Sequence, residues 1–245
     1  MFQTIKNEAL TIKKQEMTCD DPLSNDIPRP LPSYSHTMLF VGQAGSGKTS
    51  TMLSILSQHK NKKKKRCGMA KIFDHIIIVS PSLSTIKENI FKDLDEEKKR
   101  EEFDDELLEF IIEFTDKAKQ ENETTLVILD DVTQQLKKSH QLQKKLGYLL
   151  QNRRHRLLSF WILVQRLIDA PTILRESITH IILFRPINKR EIELVSHEYL
   201  PVEKNKVQAL FDFVYDRKYN FLLIDMSLRH SSNFVYYKNF DEIMF

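Results

Sequence analysis

Gly42-Gln43-Ala44-Gly45-Ser46-Gly47-Lys48-Thr49 is the stretch on which the reading of this chain turns. It matches G-x-x-x-x-G-K-[ST], the pattern of a loop whose backbone wraps phosphate. Before it, Thr37-Met38-Leu39-Phe40-Val41 is an apolar run of strand length; after it, Met52, Leu53, Ile55 and Leu56 fall at helical spacing. The pattern needs this context of strand, glycine-rich turn and helix. The chain has 5 glycines in 245 residues, and Gly42, Gly45 and Gly47 are all in this loop, as a tight turn or close ligand approach requires. Successive loop N–H groups form a concavity for phosphate oxygens, and the helix adds its positive end. Gly42, Gln43, Ala44, Gly45, Ser46, Gly47, Lys48, Thr49 and Ser50 are thus the expected nucleotide contacts. Lys48 is placed to reach the β- and γ-phosphates, and the Thr49 hydroxyl to ligate Mg²⁺.

Such a site needs a second acidic group near the metal. The apolar run Leu126-Val127-Ile128-Leu129 delivers Asp130-Asp131. Asp130 is expected to hold Mg²⁺ through its water shell, and Asp131 to orient and deprotonate the attacking water, in a place where many P-loop ATPases carry Glu. Phe160-Trp161-Ile162-Leu163-Val164 ends at Gln165. In ATPases with a strand inserted between the Walker A and Walker B strands, that position carries the γ-phosphate sensor. A GTPase would want glycine where Thr133 stands, and Asn188-Lys189-Arg190-Glu191 only approximates a guanine-reading motif. A nucleotide kinase would use an arginine cluster such as Arg153, Arg154 and Arg156, but an acidic pair is less typical of one. A nucleotide-dependent switch or scaffold with little turnover is the other alternative, and Asp131 argues against it.

Outside the motifs, hydrophobic content is 41% and net charge +3. The chain can bury a sizeable core and is not a general polyanion binder, so any nucleic-acid contact is local. Cys19 and Cys67 have no metal-ligand spacing, and no apolar run approaches the ~18 residues of a membrane span. A soluble, intracellular protein is expected. Residues 1–36 read as a Pro-rich arm with Pro22, Pro28, Pro30 and Pro32, either packed on the domain or a neighbour, or a tail. The run Lys62-Lys63-Lys64-Lys65-Arg66 reads as a solvated loop, or alternatively as a contact to phosphate backbone or a localisation signal. Helical pattern covers the acidic stretch 87–123, with Glu96 to Glu102 as its solvated face, and 134–151. Further strands are expected at 75–79, 180–184, 219–225 and 233–237. Strands alternating with helices predict an α/β fold, a P-loop NTPase of RecA-like, three-layer α/β/α type with a mainly parallel central sheet, over residues 37–245.

The order of these motifs resembles the genome-packaging ATPases of large DNA viruses and virophages, the poxvirus-type branch of the FtsK–HerA superfamily. The resemblance rests on the loop at 42–49, Ile78-Val79-Ser80-Pro81, Leu129-Asp130-Asp131-Val132, and Arg153-Arg154-His155-Arg156-Leu157 ahead of the strand ending at Gln165. The aromatic end Phe234-Val235-Tyr236-Tyr237-Lys238-Asn239-Phe240-Asp241 adds to it. Arg153 departs from the pattern, standing where the family often has glycine. The resemblance implies an ATP-driven motor using ATP and Mg²⁺, working as a homo-oligomeric ring, pentamer or hexamer. It would move double-stranded DNA into a capsid, in the host cytoplasm or viral factory or associated with the virion. In such rings a neighbour's arginine completes each site; the resemblance makes Arg154 the first candidate, with Arg153 and Arg156 the alternatives.

Overall fold

The computed structural model describes residues 27, 29–32, 35–57, 69, 72–83, 91–200, 203–227 and 234–244. Its centre is a run of short apolar strands. Strands β1 (Thr37–Val41), β2 (His75–Val79), β3 (Lys99–Arg100), β4 (Thr125–Asp130), β5 (Leu158–Val164), β6 (His180–Phe184), β7 (Phe221–Asp225), β8 (Val235–Lys238) and β9 (Asp241–Glu242) form one sheet among the described residues. Its order is β3-β2-β4-β5-β1-β6-β7-β8-β9. Strands β1, β4, β5, β6 and β7 are buried on both faces. Pairing is parallel from β3 to β6 and antiparallel from β6 to β9. The expected α/β fold with a mainly parallel sheet is the one observed.

Residues alternate between two cores, as strand geometry demands. Met38, Phe40, Ile128, Trp161 and Leu163 face the side covered by helix α1 (Lys48–Ser57). Leu39, Val41, Leu129, Ile162 and Val164 face the opposite side. There α2 (Asp105–Gln120), α3 (Thr133–Lys138), α4 (His140–Gln151), α5 (Thr172–Arg175), α6 (Lys189–Glu198) and α7 (Lys204–Val214) pack. Burial on both faces explains why the strands read as continuous apolar runs.

Two helical expectations change. The 87–123 pattern yields helix only from Asp105, because Asp104 caps it, its carboxylate accepting from Leu107 N at 2.8 Å. Before the cap, Glu96–Lys98 is a single 3₁₀ turn and Lys99–Arg100 joins the sheet edge as β3; residues 84–90 lie outside the described set. The 134–151 stretch is two helices, not one. Ser139 is extended between them, and its hydroxyl accepts from Leu142 N at 3.2 Å to start α4. A serine suits an N-cap better than a helix interior.

Before β1, the arm meets the domain. His36 is 3% exposed, accepts the Trp161 indole N–H at 2.7 Å, and its carbonyl accepts from Phe160 N at 2.8 Å. Most of the 1–36 arm, both cysteines and the Lys62–Arg66 run lie outside the described residues.

Candidate active site

The loop between β1 and α1 owes its shape to its glycines. Gly45 and Gly47 have φ of +74° and +107°, open to glycine and strained for other residues. At Gly42 an added Cβ would lie 2.6 Å from Ser46 Oγ and 2.8 Å from Phe184 Cβ, so β6 presses directly on the start of the loop. Gly42 N donates to Val164 O at 3.1 Å, tying the loop to the end of β5. Lys48 folds over the loop: its Nζ donates to the Gly42 carbonyl and, at 3.0 Å, to the Gln43 carbonyl. Burial pushes its pKa down, while the charges of Asp130 and Asp131 pull against that.

β4 brings the acidic pair to the same sheet edge. Asp130 is its last residue, in register with Leu163 of β5. Ser80, just past β2 and 1% exposed, donates its hydroxyl to Asp130 Oδ2 at 2.8 Å. Ser80 is itself fixed by the sheet edge, its N donating to Arg100 O at 3.0 Å. Burial raises the Asp130 pKa and the Ser80 hydrogen bond holds it back; Asp131 raises it further, and Lys48 lowers it. Asp131 turns out of the strand at φ +56°, a conformation Asp tolerates better than most residues. Gln165 Nε2 donates to Asp131 Oδ2 at 3.3 Å.

A cavity of about 360 Å³ is lined by Gln43, Ala44, Gly45, Gly47, Lys48, Thr49 and Ser50 together with Asp130, Asp131 and Gln165. Nearly all the sequence-expected contacts therefore converge; Gly42 and Ser46 do not line this cavity. The donor set fits Mg²⁺: one hydroxyl (Thr49) and one carboxylate (Asp130) share the cavity, and Mg²⁺ takes few protein ligands, completing its shell with phosphate and water. No group of three or more His, Cys, Asp or Glu suited to a metal occurs among the described residues, as a dedicated protein cage would require.

The arginines do not come to this cavity. Arg154 begins the turn before β5, at the opposite edge of the sheet. Arg153 is tied to the Ser35 and Leu150 carbonyls at 2.8 and 2.7 Å, and buried Arg156 pairs with Asp116 at 2.6 Å. Arg154 is solvent-exposed. The near-guanine motif is used structurally: Asn188 caps α6, accepting from Arg190 N at 2.9 Å, and buried Glu191 accepts from Leu167 N at 2.7 Å. Ser80 is the positioning residue to which sequence reasoning gave no role. Its signal was a small hydroxyl residue closing a buried strand beside the acidic one.

With β5 lying between β1 and β4, and the loop, the acidic pair and Gln165 meeting at their C-terminal ends, the molecule has the construction of a RecA-like P-loop NTPase. Within that class its place is specific: the family model of the Poxvirus A32 protein matches residues 29–244. The chain belongs to that family. No curated protein matches it in sequence. Among solved structures it is similar to the genome packaging NTPase B204 from Sulfolobus turreted icosahedral virus 2 in complex with AMP, with TM-score 0.59 and 17% identity over 85% of this chain and 98% of that one. The ATP-gammaS complex of B204 gives TM-score 0.57 and 19% identity over 83% and 97%. EssC (ATPases 2 and 3) from Geobacillus thermodenitrificans gives 0.51 and 15% over 85% and 40%. At these identities the likeness is one of fold.

Proposed function

We propose that the chain is an ATP-hydrolysing DNA-packaging motor, which translocates viral double-stranded DNA into a capsid as a ring of identical subunits. The observation that carries this reading is the single cavity in which a phosphate loop, a Ser80-fixed carboxylate and a glutamine-bonded second carboxylate face one another. Membership of the Poxvirus A32 protein family and the shared fold of the B204 packaging NTPase support it.

The residues divide the work. Loop N–H groups of the residues lining the cavity, Gln43 to Gly45 and Gly47 to Ser50, hold the phosphates, and Lys48 leaves the loop carbonyls to neutralise the β- and γ-phosphates. Thr49 and Asp130 hold Mg²⁺, which when bound offsets phosphate charge and orients the triphosphate. Asp131 takes a proton from water as its oxygen bonds to the γ-phosphorus and the bond to the β,γ-bridging oxygen breaks. Gln165 holds the Asp131 carboxylate and senses the γ-phosphate.

Arg154, too far to act in its own subunit, acts on a neighbour's site in the ring, a pentamer or hexamer. Residues 1–36 form an arm and 37–245 the motor domain. No helix among the described residues is long and apolar enough to cross a membrane, and the motor acts in the host cytoplasm or viral factory, with a virion-associated population. Turnover of ATP with and without double-stranded DNA, alongside oligomeric mass, tests the reading. DNA-stimulated turnover by a ring, lost in Lys48→Ala, is expected. Turnover no faster than in Lys48→Ala would overturn it in favour of a nucleotide switch.

A further inference from the structure

The loop has a second side. A cavity of about 530 Å³ lies between α1 and the antiparallel half of the sheet, walled by Ser54 and Ile55 on one side and Tyr219, Phe221 and Phe240 on the other. It shares Gly45, Gly47 and Ser50 with the phosphate cavity, so the two adjoin at the loop backbone.

Its aromatic wall is built with care. Tyr219 is 57% exposed and has φ +71°, a strained conformation for a bulky residue, the kind that persists only where surrounding structure enforces it. The enforcement is visible in Asn220, whose side chain donates to Asp216 at 2.7 Å and accepts from Asn239 at 3.2 Å. The strain sets the Tyr219 ring against the loop: its Cδ1 lies 3.4 Å from where a Gly47 Cβ would stand. Phe240, 36% exposed, is steadied edge-on by Phe221, with ring centroids 5.4 Å apart. Phe240 thus rests on the core through Phe221, and Tyr219 carries Lys218 Nζ 4.8 Å from its ring centroid, but both rings also present exposed surface to the cavity beside the phosphate loop.

We propose that this cavity is the nucleobase slot of the site, with Tyr219 as stacking platform and Phe240 as facing wall; the inference rests on the ATPase reading above. The lining side chains include hydroxyls at Ser50, Thr51, Ser54 and Tyr219, but no carboxylate or amide able to read the edge of one purine against the other. Recognition is therefore by stacking. The slot takes purines over pyrimidines and separates adenine from guanine only weakly, because every base has a π-face.

Equilibrium binding tests this, with non-hydrolysable triphosphates of adenosine, guanosine and cytidine, and inorganic tripolyphosphate as a probe lacking the base. The proteins are wild type, Tyr219→Gly, Tyr219→Phe, Phe240→Ala and Lys48→Ala. Glycine accepts the positive φ freely, so Tyr219→Gly removes the ring without straining the fold. Tyr219→Gly should weaken both purine analogues about 5- to 150-fold and leave tripolyphosphate binding as in wild type; Tyr219→Phe should keep purine affinity, and Phe240→Ala should weaken it. Unchanged purine affinity in both Tyr219→Gly and Phe240→Ala overturns the slot, as does an equal loss of tripolyphosphate, which would mean that the ring only supports the loop. Failure of the ATPase reading looks different: wild type would turn over ATP no faster than Lys48→Ala, or the two would bind tripolyphosphate equally, whatever the Tyr219 variants do.

Discussion

Removing the Ser80 hydroxyl tests how the metal-side carboxylate is held. Ser80 Oγ is a buried donor at 2.8 Å from Asp130 Oδ2 and also accepts from Ser82 N at 3.3 Å. Ser80→Ala leaves a buried carboxylate oxygen short of its partner and an N–H short of its acceptor. A hydrogen bond to a charged group contributes about 1.5–3 kcal/mol, which corresponds to about 10- to 150-fold in an equilibrium that depends on the ionised carboxylate. The sign follows from the environment. Burial already pushes the Asp130 pKa up and Ser80 holds it back, so the variant carboxyl stays protonated to higher pH. The apparent Mg²⁺ requirement of ATP hydrolysis should rise on the acid side of the profile, by up to that factor where the variant carboxyl is protonated and the wild-type one is not. The acid limb of the kcat–pH profile should move upward, and raising pH should recover part of the loss. Ser80→Thr, which keeps the hydroxyl, should retain activity. Steady-state hydrolysis against Mg²⁺ at several pH values reads all three. A Ser80→Ala enzyme with wild-type Mg²⁺ dependence and acid limb would refute the argument that Ser80 tunes Asp130.

Four other outcomes are expected. Asp131→Asn should still bind ATP yet hydrolyse it about 10²–10⁴-fold more slowly, read by single-turnover kinetics beside a binding isotherm. Asp131→Gly should abolish turnover while holding or raising Tm, since glycine relieves the φ +56° strain; thermal denaturation checks it. Asp225, at the foot of the sheet, is 3.1 Å from His180 Nε2. Burial pushes the Asp225 pKa up, but His180 and Ser227 outweigh that and hold it well below the usual carboxylate range. Its contribution is therefore present above the unfolded carboxylate's pKa of about 4 and is lost as pH falls through the lower folded value. Asp225→Asn should cost about 1.5–3 kcal/mol at neutral pH, the worth of a hydrogen bond to a charged group, and flatten the acid side of the stability curve, by urea unfolding against pH. Finally, a mixture of inactive Arg154→Ala and Lys48→Ala subunits should regain single-site hydrolysis if Arg154 completes a neighbour's site, a role that contributes about 10³–10⁵-fold in NTPases that use one; no recovery in a normally assembled ring rejects it.

Where the sequence was legible, the reason is that phosphate chemistry restricts residue type. Only glycine takes the φ of Gly47 without strain, and Lys48 and Thr49 must follow it directly, so the loop announces itself. The strands were legible because β1, β4, β5 and β6 are buried on both faces. Helix boundaries were less so. Ser139 and Asp104 interrupt an apolar periodicity that continues across them, and it is their side-chain caps, not the pattern, that decide. Ser80 was hidden because its role depends on which strand lies beside β4, a tertiary fact. The arginine cluster misleads for a similar reason: Arg153 and Arg156 look equivalent to Arg154 in sequence, yet each is spent on holding the turn before β5.

The cleft is built by two halves of one sheet with different rules. On the proposed roles, the parallel half supplies phosphate, metal and water chemistry, where exchanging Asp130 for another polar residue would end the function. The antiparallel half supplies Tyr219, which no motif marks, and Phe240 from the aromatic end segment; on the proposed roles any flat apolar ring would serve at either position. The seven residues of β5 span about 23 Å, which places Arg154 out of reach of the loop in its own subunit. The positive φ values at Asp131 and Tyr219 flank the loop on its two sides. Folding alone would favour glycine at both. The proposed roles account for an acid on the phosphate side and a ring on the other, since one wall would contact a reacting water and the other a purine face.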